Sequence, residues 1–219
     1  MSHDPIFAEI ARHGVVPVIA IEAVEAALPL ADALLEGGLP LAEITFRTPA
    51  AAAVIAEIAT HRPQLLLGAG TVLTAENVQA AKAAGARFAV APGLNPAVVR
   101  HAAECQLPFV PGVCTPSEIE QALVLGCRIV KFFPAEASGG VEMVKALTAP
   151  YAHTGLRFVP TGGVNTANLE SYLSVASVAA VGGTWIAKPD DLAAGRWQTI
   201  CDRCREAVAI VRRLRGVAT

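Results

Sequence analysis

A lysine within an apolar stretch is the most unusual chemical feature of the sequence. The segment RIVKFFPAEA covers residues 128–137 and places Lys131 between two aliphatic and two aromatic residues. Lysine is rarely buried without a partner, because burial removes the hydration of its ammonium group. Burial therefore favours the free amine, which can condense with a ketone to form a Schiff base. A structural lysine paired with a buried carboxylate is the alternative, and the stretch alone leaves it open.

A second group of polar residues accompanies the apolar run at residues 41–46. Glu43, Thr45 and Arg47 alternate along the sequence, and a period of two directs all three to one face of a strand. If that face is enclosed, a carboxylate that can carry protons and a guanidinium point into a common cavity. A buried ion pair, or side chains that face solvent at a frayed strand end, would show the same spacing.

Short apolar runs must position these residues. The runs lie at residues 15–21, 41–46, 65–70, 88–93, 109–113, 129–133, 158–163 and 178–183. They are rich in Val, Ile, Leu and Phe, which is typical of parallel strands buried on both faces, and helical patterns separate them. Eight strand–helix units predict an α/β fold, a (β/α)8 TIM barrel with an extra N-terminal helix at residues 3–13. A doubly wound sheet is the alternative, but the first run lacks the glycine-rich turn typical of that fold.

Capping residues mark where the helices should begin. Three Thr-Pro or Asn-Pro pairs place a capping residue before a proline, which suits the first position of a helix: Thr48-Pro49, Asn95-Pro96 and Thr115-Pro116. Thr115 and Glu118 also have the spacing of a capping box. A last helix over about residues 190–214 would close the ring. The sequence contains no linker, so residues 1–219 are predicted to form one domain.

Glycine pairs end the last two apolar runs, as Thr161-Gly162-Gly163 and Gly182-Gly183-Thr184. Glycine lets backbone N–H groups approach phosphate oxygens, and a TIM barrel often builds its phosphate site from the loops after strands 7 and 8. One glycine pair could be a simple turn. Two pairs in these two loops predict a phosphate site at the carboxyl ends of the strands.

Composition and charge exclude several classes of partner. The net charge of −2 and the pI near 6.2 argue against a nucleic-acid ligand. The sequence shows no signal peptide and no apolar stretch long enough to span a membrane, so we expect a cytoplasmic protein. The C-x-x-C at Cys201 and Cys204 falls in a helical pattern and is expected to be structural. The histidines lie away from the strand ends, which argues against a metal site.

Eight motifs link the chain to a known family. In order they are GVVPVI (14–19), EITFRTP (43–49), GAGTVL (68–73), APGLNP (91–96), PGVCTPSE (111–118), KFFPAE (131–136), PTGGV (160–164) and GGTWI (182–186). Together they resemble the family of 2-keto-3-deoxy-6-phosphogluconate (KDPG) aldolase, also called 4-hydroxy-2-oxoglutarate aldolase. The resemblance covers nearly the whole chain, and KFFPAE with PTGG is its most specific part.

The resemblance implies a class I aldolase without metal or cofactor, usually assembled as a homotrimer. It implies that Lys131 forms the Schiff base with the substrate and that Glu43 is the general acid/base. The substrate would be a small phosphorylated keto sugar acid, cleaved to pyruvate and glyceraldehyde 3-phosphate. The galactonate epimer as substrate, or a phosphate-binding barrel with other chemistry, remains the alternative.

The resemblance also implies which residues bind the substrate. Arg47 and Thr71 would hold the pyruvate carboxylate, Pro92 and Phe133 would form the pocket walls, and Thr161 would lie near the substrate hydroxyls. The phosphate would be held by Gly162, Gly163, Gly183 and Thr184. Thr161 favours the gluconate epimer, since galactonate-type relatives tend to carry an apolar residue there. Thr184 stands where the family commonly has serine.

Overall fold

Parallel strands alternate with helices along residues 5–216, the part of the chain that the computed structural model describes. The strands are β1 (Val15–Ile19), β2 (Leu41–Thr45), β3 (Leu66–Gly70), β4 (Phe88–Val90), β5 (Phe109–Val110), β6 (Gly112–Val113), β7 (Ile129–Phe132), β8 (Arg157–Pro160) and β9 (Val181–Gly183). The helices are α1 (Pro5–His13), α2 (Ala27–Glu36), α3 (Ala51–His61), α4 (Ala75–Ala83), α5 (Pro96–Glu104), α6 (Pro116–Val124), α7 (Gly140–Tyr151), α8 (Leu169–Leu173), α9 (Pro189–Ala193) and α10 (Trp197–Arg215).

The strands form two parallel sheets. One has the order β5-β4-β3-β2-β1-β9 and the other the order β6-β7-β8. Bridges between Phe158 and Val178 and between Thr161 and Gly182 connect the β8 segment to the β9 segment. The prediction of an α/β fold with parallel strands is confirmed. The run at residues 109–113 is split into β5 and β6, with Pro111 between them, because proline has no N–H to donate to a ladder.

The two sheets curl around a shared apolar interior. Its buried cluster includes Val16, Leu66, Val110 and Val159, so strands of both sheets contribute to it. Ile10 of α1 belongs to the same cluster. The other face of each strand packs against the helices in a second, larger cluster. Burial on both faces explains why the strands read as continuous apolar runs.

Two of the predicted helix starts are confirmed. Asn95 accepts a hydrogen bond from the N–H of Ala97 at the start of α5. Thr115 and Glu118 form the complete capping box at the start of α6. Burial alone would raise the pKa of Glu118, but hydrogen bonds from the N–H of Cys114 and from Thr115 outweigh it and lower that pKa.

Two local predictions are wrong. Thr48 does not cap α3, which begins at Ala51; its hydroxyl donates to the carbonyl of Ile21 at 2.6 Å instead. The last helix is not continuous, because the chain turns between α9 and α10 at Gly195, whose φ is +63°. Left-handed backbone of this kind ends a helix and suits glycine.

Candidate active site

Lys131 of β7 and Glu43 of β2 meet inside the curled sheets. Lys131 Nζ lies 3.4 Å from Glu43 Oε1, and the two side chains are 7% and 4% exposed. The strands belong to different sheets, so the contact depends on the curvature that brings them face to face. The sequence left open whether Lys131 is paired with a carboxylate. In the structure Lys131 is paired with the Glu43 carboxylate, at a distance that allows a proton to pass between the two groups.

A small cavity lies beside this pair. It has a volume of about 20 Å³ and is lined by Glu43, Lys131 and Thr161 together with apolar residues of the interior cluster. A volume of that size is on the order of what one water molecule needs. The ring of Phe133 lies on another side of the lysine, with its centroid 5.5 Å from Nζ. The amine is therefore enclosed by groups that exclude bulk water.

Gly70, at the end of β3, leaves the space that the Glu43 carboxylate occupies. A Cβ atom on Gly70 would overlap Oε1 of Glu43. Gly182 has the same relation to Thr161, since a Cβ there would overlap the threonine hydroxyl. Sequence reasoning missed Gly70 as a functional position. The available signal was a glycine inside a strand, which often marks a close approach.

The strand that carries Glu43 also positions Thr45 and Arg47. The Thr45 hydroxyl donates to the carbonyl of Ile19 on β1 at 3.1 Å and accepts a hydrogen bond from Arg47 Nε at 3.2 Å. Glu43 and Thr45 are buried, whereas Arg47 is exposed. The alternation therefore orders the three side chains from the interior to the rim, and the guanidinium lies where an anionic ligand could approach.

Thr71 follows β3 with an unusual backbone. Its φ is +55°, in the left-handed region that a β-branched residue rarely adopts. Such backbone costs roughly 1–2 kcal/mol and is concentrated at functional sites. Pro92 lies near the end of β4, and its carbonyl packs so closely on Gly112 that a Cβ there would overlap it. Both predicted binding residues thus lie in tightly constrained backbone.

The first three carbonyls of the loop after β8 are held by protein donors. The carbonyl of Thr161 accepts from the N–H of Ala135 at 2.8 Å, and the carbonyl of Gly162 accepts from the N–H of Glu136 at 3.0 Å. The carbonyl of Gly163 accepts from the side-chain amides of two asparagines, at 3.2 Å each: Asn165 and Asn168. The loop is therefore fixed before any ligand binds.

The same anchoring orients the N–H groups of the loop. The C=O and N–H of a trans peptide point in opposite directions, so the N–H groups of Gly162, Gly163 and Val164 point away from those donors. Within residues 5–216 none of these three N–H groups donates to a protein acceptor. Gly162 and Gly163 have φ values of +101° and +82°. Successive free N–H groups of this kind form a concave site for an anion.

The second glycine pair lies beside the first. Gly182 forms a bridge with Thr161, so the loops that follow β8 and β9 are neighbours. Gly183 is buried at the end of β9 and pairs with Pro17 of β1, while Thr184 is exposed at the surface. The structure thus brings together the predicted phosphate-binding residues at the carboxyl ends of adjacent strands.

Residues 5–216 contain neither a cluster of metal ligands nor a membrane-spanning helix. Among residues 5–216 no three His, Cys, Asp or Glu side chains come together as a possible metal site. Over that range no helix has the length and apolar character needed to span a bilayer. The helical placement of Cys201 and Cys204 is confirmed, and both are buried free thiols. Burial raises the pKa of Cys204 to about 12, which makes that thiol a poor nucleophile.

Comparison with known proteins identifies the family. The family model of KDPG and KHG aldolases matches residues 6–203. The chain belongs to the KDPG and KHG aldolase family. The 2-dehydro-3-deoxy-phosphogluconate aldolase of Haemophilus influenzae is 47% identical over 198 residues, which cover 90% of this chain and 92% of that protein. The KHG/KDPG aldolase of Escherichia coli K12 is 42% identical over 194 residues, which cover 89% and 90%.

A solved structure of this aldolase family has the same fold. KDPG aldolase of Legionella pneumophila superposes with a TM-score of 0.88 at 39% identity, over 92% of this chain and 97% of that chain. It was solved with pyruvate captured at low pH as a covalent carbinolamine intermediate. A carbinolamine is the product of adding an amine to a carbonyl, so that relative performs the first step of Schiff-base chemistry.

Proposed function

We propose that this family member is a class I aldolase that cleaves 2-dehydro-3-deoxy-6-phosphogluconate to pyruvate and glyceraldehyde 3-phosphate. One observation carries the proposal: a buried lysine, Lys131, within 3.4 Å of a buried carboxylate, Glu43, in a chain of this family. The reaction needs an amine nucleophile and a proton carrier side by side. We expect 4-hydroxy-2-oxoglutarate to be cleaved as well, to pyruvate and glyoxylate.

The pair can carry each step of the cleavage. The Lys131 amine adds to the C2 carbonyl of the substrate, and loss of water from the carbinolamine leaves a protonated imine. Glu43 then takes the proton of the C4 hydroxyl, the C3–C4 bond breaks, and its electron pair moves into the imine to form an enamine. The aldehyde leaves. Glu43 returns the proton to C3, and hydrolysis of the imine releases pyruvate and the free amine.

The binding roles are those that the resemblance to the family implies. In this proposal Arg47 and Thr71 hold the pyruvate carboxylate, Pro92 and Phe133 wall the pocket, and Thr161 contacts the substrate hydroxyls. The phosphate is held by Gly162, Gly163, Gly183 and Thr184. The free N–H groups of the loop after β8 support that assignment. Thr161 supports the gluconate epimer, rather than the galactonate epimer, as the substrate.

The finer architecture belongs to the same proposal. Residues 1–219 form one domain, a closed (β/α)8 TIM barrel whose extra N-terminal helix covers the bottom. The bridges between the β8 and β9 segments and the packing of Ile10 into the interior cluster support it. We further propose a cytoplasmic homotrimer that needs no metal and binds neither nucleic acid nor a membrane. The net charge of −2 supports the exclusion of nucleic acid.

Borohydride trapping tests the chemistry directly. The protein is incubated with pyruvate, reduced with sodium borohydride and mapped by peptide mass spectrometry. We expect one pyruvate adduct, on Lys131, and loss of aldolase activity in proportion to it. Lys131→Ala should form no adduct, whereas the exposed Lys145→Ala should form it normally. Absence of an adduct, or an adduct on another lysine, would refute the Schiff-base mechanism and favour a phosphate-binding barrel of other chemistry.

A chelator separates this mechanism from a metal-dependent one. A class I aldolase polarises the carbonyl as an imine, so cleavage should continue undiminished after dialysis against EDTA. A rate that falls with EDTA and returns with added zinc would mean that the proposed mechanism is wrong.

A further inference from the structure

A buried tyrosine is hydrogen-bonded to a glutamate that contacts the loop that we assign to the phosphate. Tyr172 of α8 is fully buried, and its hydroxyl donates a short hydrogen bond to Oε1 of Glu136. Burial, and then the hydrogen bond to Glu136, raises the pKa of Tyr172, so the phenol stays protonated and remains a donor. This hydrogen bond is separate from the one that joins Lys131 and Glu43. Glu136 contacts the loop, and Tyr172 contacts Glu136.

Glu136 touches the loop with both its backbone and its side chain. Its N–H donates to the carbonyl of Gly162 at 3.0 Å. Its Cβ and Cγ lie against Gly163, and a Cβ atom added to Gly163 would collide with them. Its Oε1 also lies near Gly140, at the start of α7. The Glu136 side chain therefore packs against the loop, and its carboxylate is held there by the Tyr172 hydroxyl.

This carboxylate belongs to a side chain that packs against the proposed anion-binding loop. A carboxylate that turned toward the loop would bring its negative charge closer to the proposed anion site and would repel an incoming phosphate. The Tyr172 hydroxyl occupies Oε1 and directs the carboxylate toward α8 and the start of α7. Its negative charge is thereby directed away from the loop.

We propose that Tyr172 and Glu136 are positioning residues that determine how strongly the enzyme prefers phosphorylated over unphosphorylated keto acids. The inference rests on the proposed function, because it assumes that the loop after β8 binds the substrate phosphate. It assigns no role in the bond-breaking step to either residue. A substrate without a phosphate does not use the loop, so its cleavage should not depend on Tyr172 and Glu136.

The test is Tyr172→Phe, which removes one oxygen and keeps the buried ring. We expect KM for 2-dehydro-3-deoxy-6-phosphogluconate to rise about tenfold, as for loss of one hydrogen bond to a charged group, with kcat little changed. Inhibition by inorganic phosphate should weaken by a similar factor. The rate of pyruvate trapping by borohydride should stay within about twofold of wild type, because pyruvate carries no phosphate.

A second variant separates positioning from a merely structural effect. Tyr172→Phe combined with Glu136→Gln should recover most of the lost phosphate affinity, because an amide has no negative charge to repel the anion. Glu136→Gln alone should bind at least as well as wild type. The matched control is Tyr151→Phe, which removes the other tyrosine hydroxyl of the chain, bonded to Glu120 at 3.2 Å on an exposed surface.

The possible failures are distinguishable. If Tyr172→Phe slows pyruvate trapping as much as it raises KM, or changes neither, the positioning role is overturned. Failure of Glu136→Gln to restore affinity in the double variant would overturn it as well. If the wild-type protein cleaves no phosphorylated keto acid and traps no pyruvate, the proposed function itself is wrong.

Discussion

The Lys131–Glu43 pair combines catalytic potential with a cost in stability. Burying two charges is unfavourable, and their attraction returns only part of that free energy. Removing one partner leaves the other charge buried and uncompensated. We therefore expect Lys131→Met to lower the free energy of unfolding by about 3 kcal/mol at neutral pH, measured by urea denaturation.

The corresponding double replacement should behave differently. With Lys131→Met and Glu43→Leu together, no buried charge remains, so the free energy of unfolding should equal or exceed that of wild type while aldolase activity is lost. If the double variant is as unstable as the single one, the ion pair itself stabilises the fold, and our view of it as a functional compromise is incorrect.

Gly70 determines where the Glu43 carboxylate can lie. Gly70→Ala places a methyl group in the position of Oε1, so the carboxylate must turn away from Lys131. A displacement of about 1 Å can reduce a rate about 100-fold, and we expect a loss of that order in kcat for the cleavage. Gly93→Ala, where a Cβ would meet open space, is the control and should keep near-normal kcat. Equal effects of the two substitutions would argue against the steric explanation.

The sequence predicts which residue types could be functional better than it predicts the contacts that those residues make. Lys131 and Glu43 could be singled out because a charged residue in an apolar strand is unusual. Gly70 and Tyr172 could not, because what distinguishes them is the neighbour that the fold supplies: the Glu43 carboxylate for one and the Glu136 carboxylate for the other. Neither neighbour is close to its partner in sequence.

Among the elements, the junction of α9 and α10 is held by a buried carboxylate. Asp191 is 5% exposed and accepts hydrogen bonds from Arg203 and, at 2.7 Å, from Arg196. Arg203 also donates to the carbonyl of Ile186, just beyond the loop after β9. The bonds from Arg203 and then Arg196 lower the pKa of Asp191 below its ordinary value of 3.8. Asp191 thus ties the last two helices to the segment that follows the second glycine pair.

The stabilisation by Asp191 should depend on pH in a defined direction. Because the native pKa is depressed, the contribution is complete above pH 3.8 and is lost as the pH falls through the native value. Asp191→Asn should therefore lower the free energy of unfolding by about 1.5–3 kcal/mol at pH 7, and the difference from wild type should shrink below about pH 3.8. Urea titrations over a pH series measure it, with the exposed neighbour Asp190→Asn as control. A difference that stays constant down to pH 3 would contradict the assignment.

Elements were predictable where one local signal dominated. Each apolar run contains a strand, since burial on both faces leaves a continuous hydrophobic pattern. Thr115 caps α6 because its partner, Glu118, lies three residues away. Thr48 fails as a cap because a distant partner, the carbonyl of Ile21, takes its hydroxyl. The break at Gly195 and the split at Pro111 depend on backbone angles and donors that a hydrophobic pattern does not record.

For the whole molecule, the proposed trimer is directly measurable. Sedimentation equilibrium should give a mass about three times the chain mass of 22.6 kDa. All the residues that we assign to the site come from a single chain, so kcat should not depend on protein concentration over a range in which the mass stays constant. A mass equal to one or two chains would contradict the trimer and leave the aldolase proposal intact.

The arginine near the end of α10 links opposite ends of the described chain. The Arg215 guanidinium donates to the carbonyls of Ala11 and Arg12 at the end of α1, and to the carbonyl of Ala179 at 3.0 Å. The carboxyl ends of α1 and α10 are therefore spatial neighbours, so the first described residue is separated from α10 by about the length of α1, a short distance that favours circular permutation. A short linker could join the two ends of the described chain and new termini could open at Gly126, in the exposed turn between α6 and β7. Such a permutant would keep every strand pair and the lysine site, while its order of synthesis would begin with the strand that carries the nucleophile.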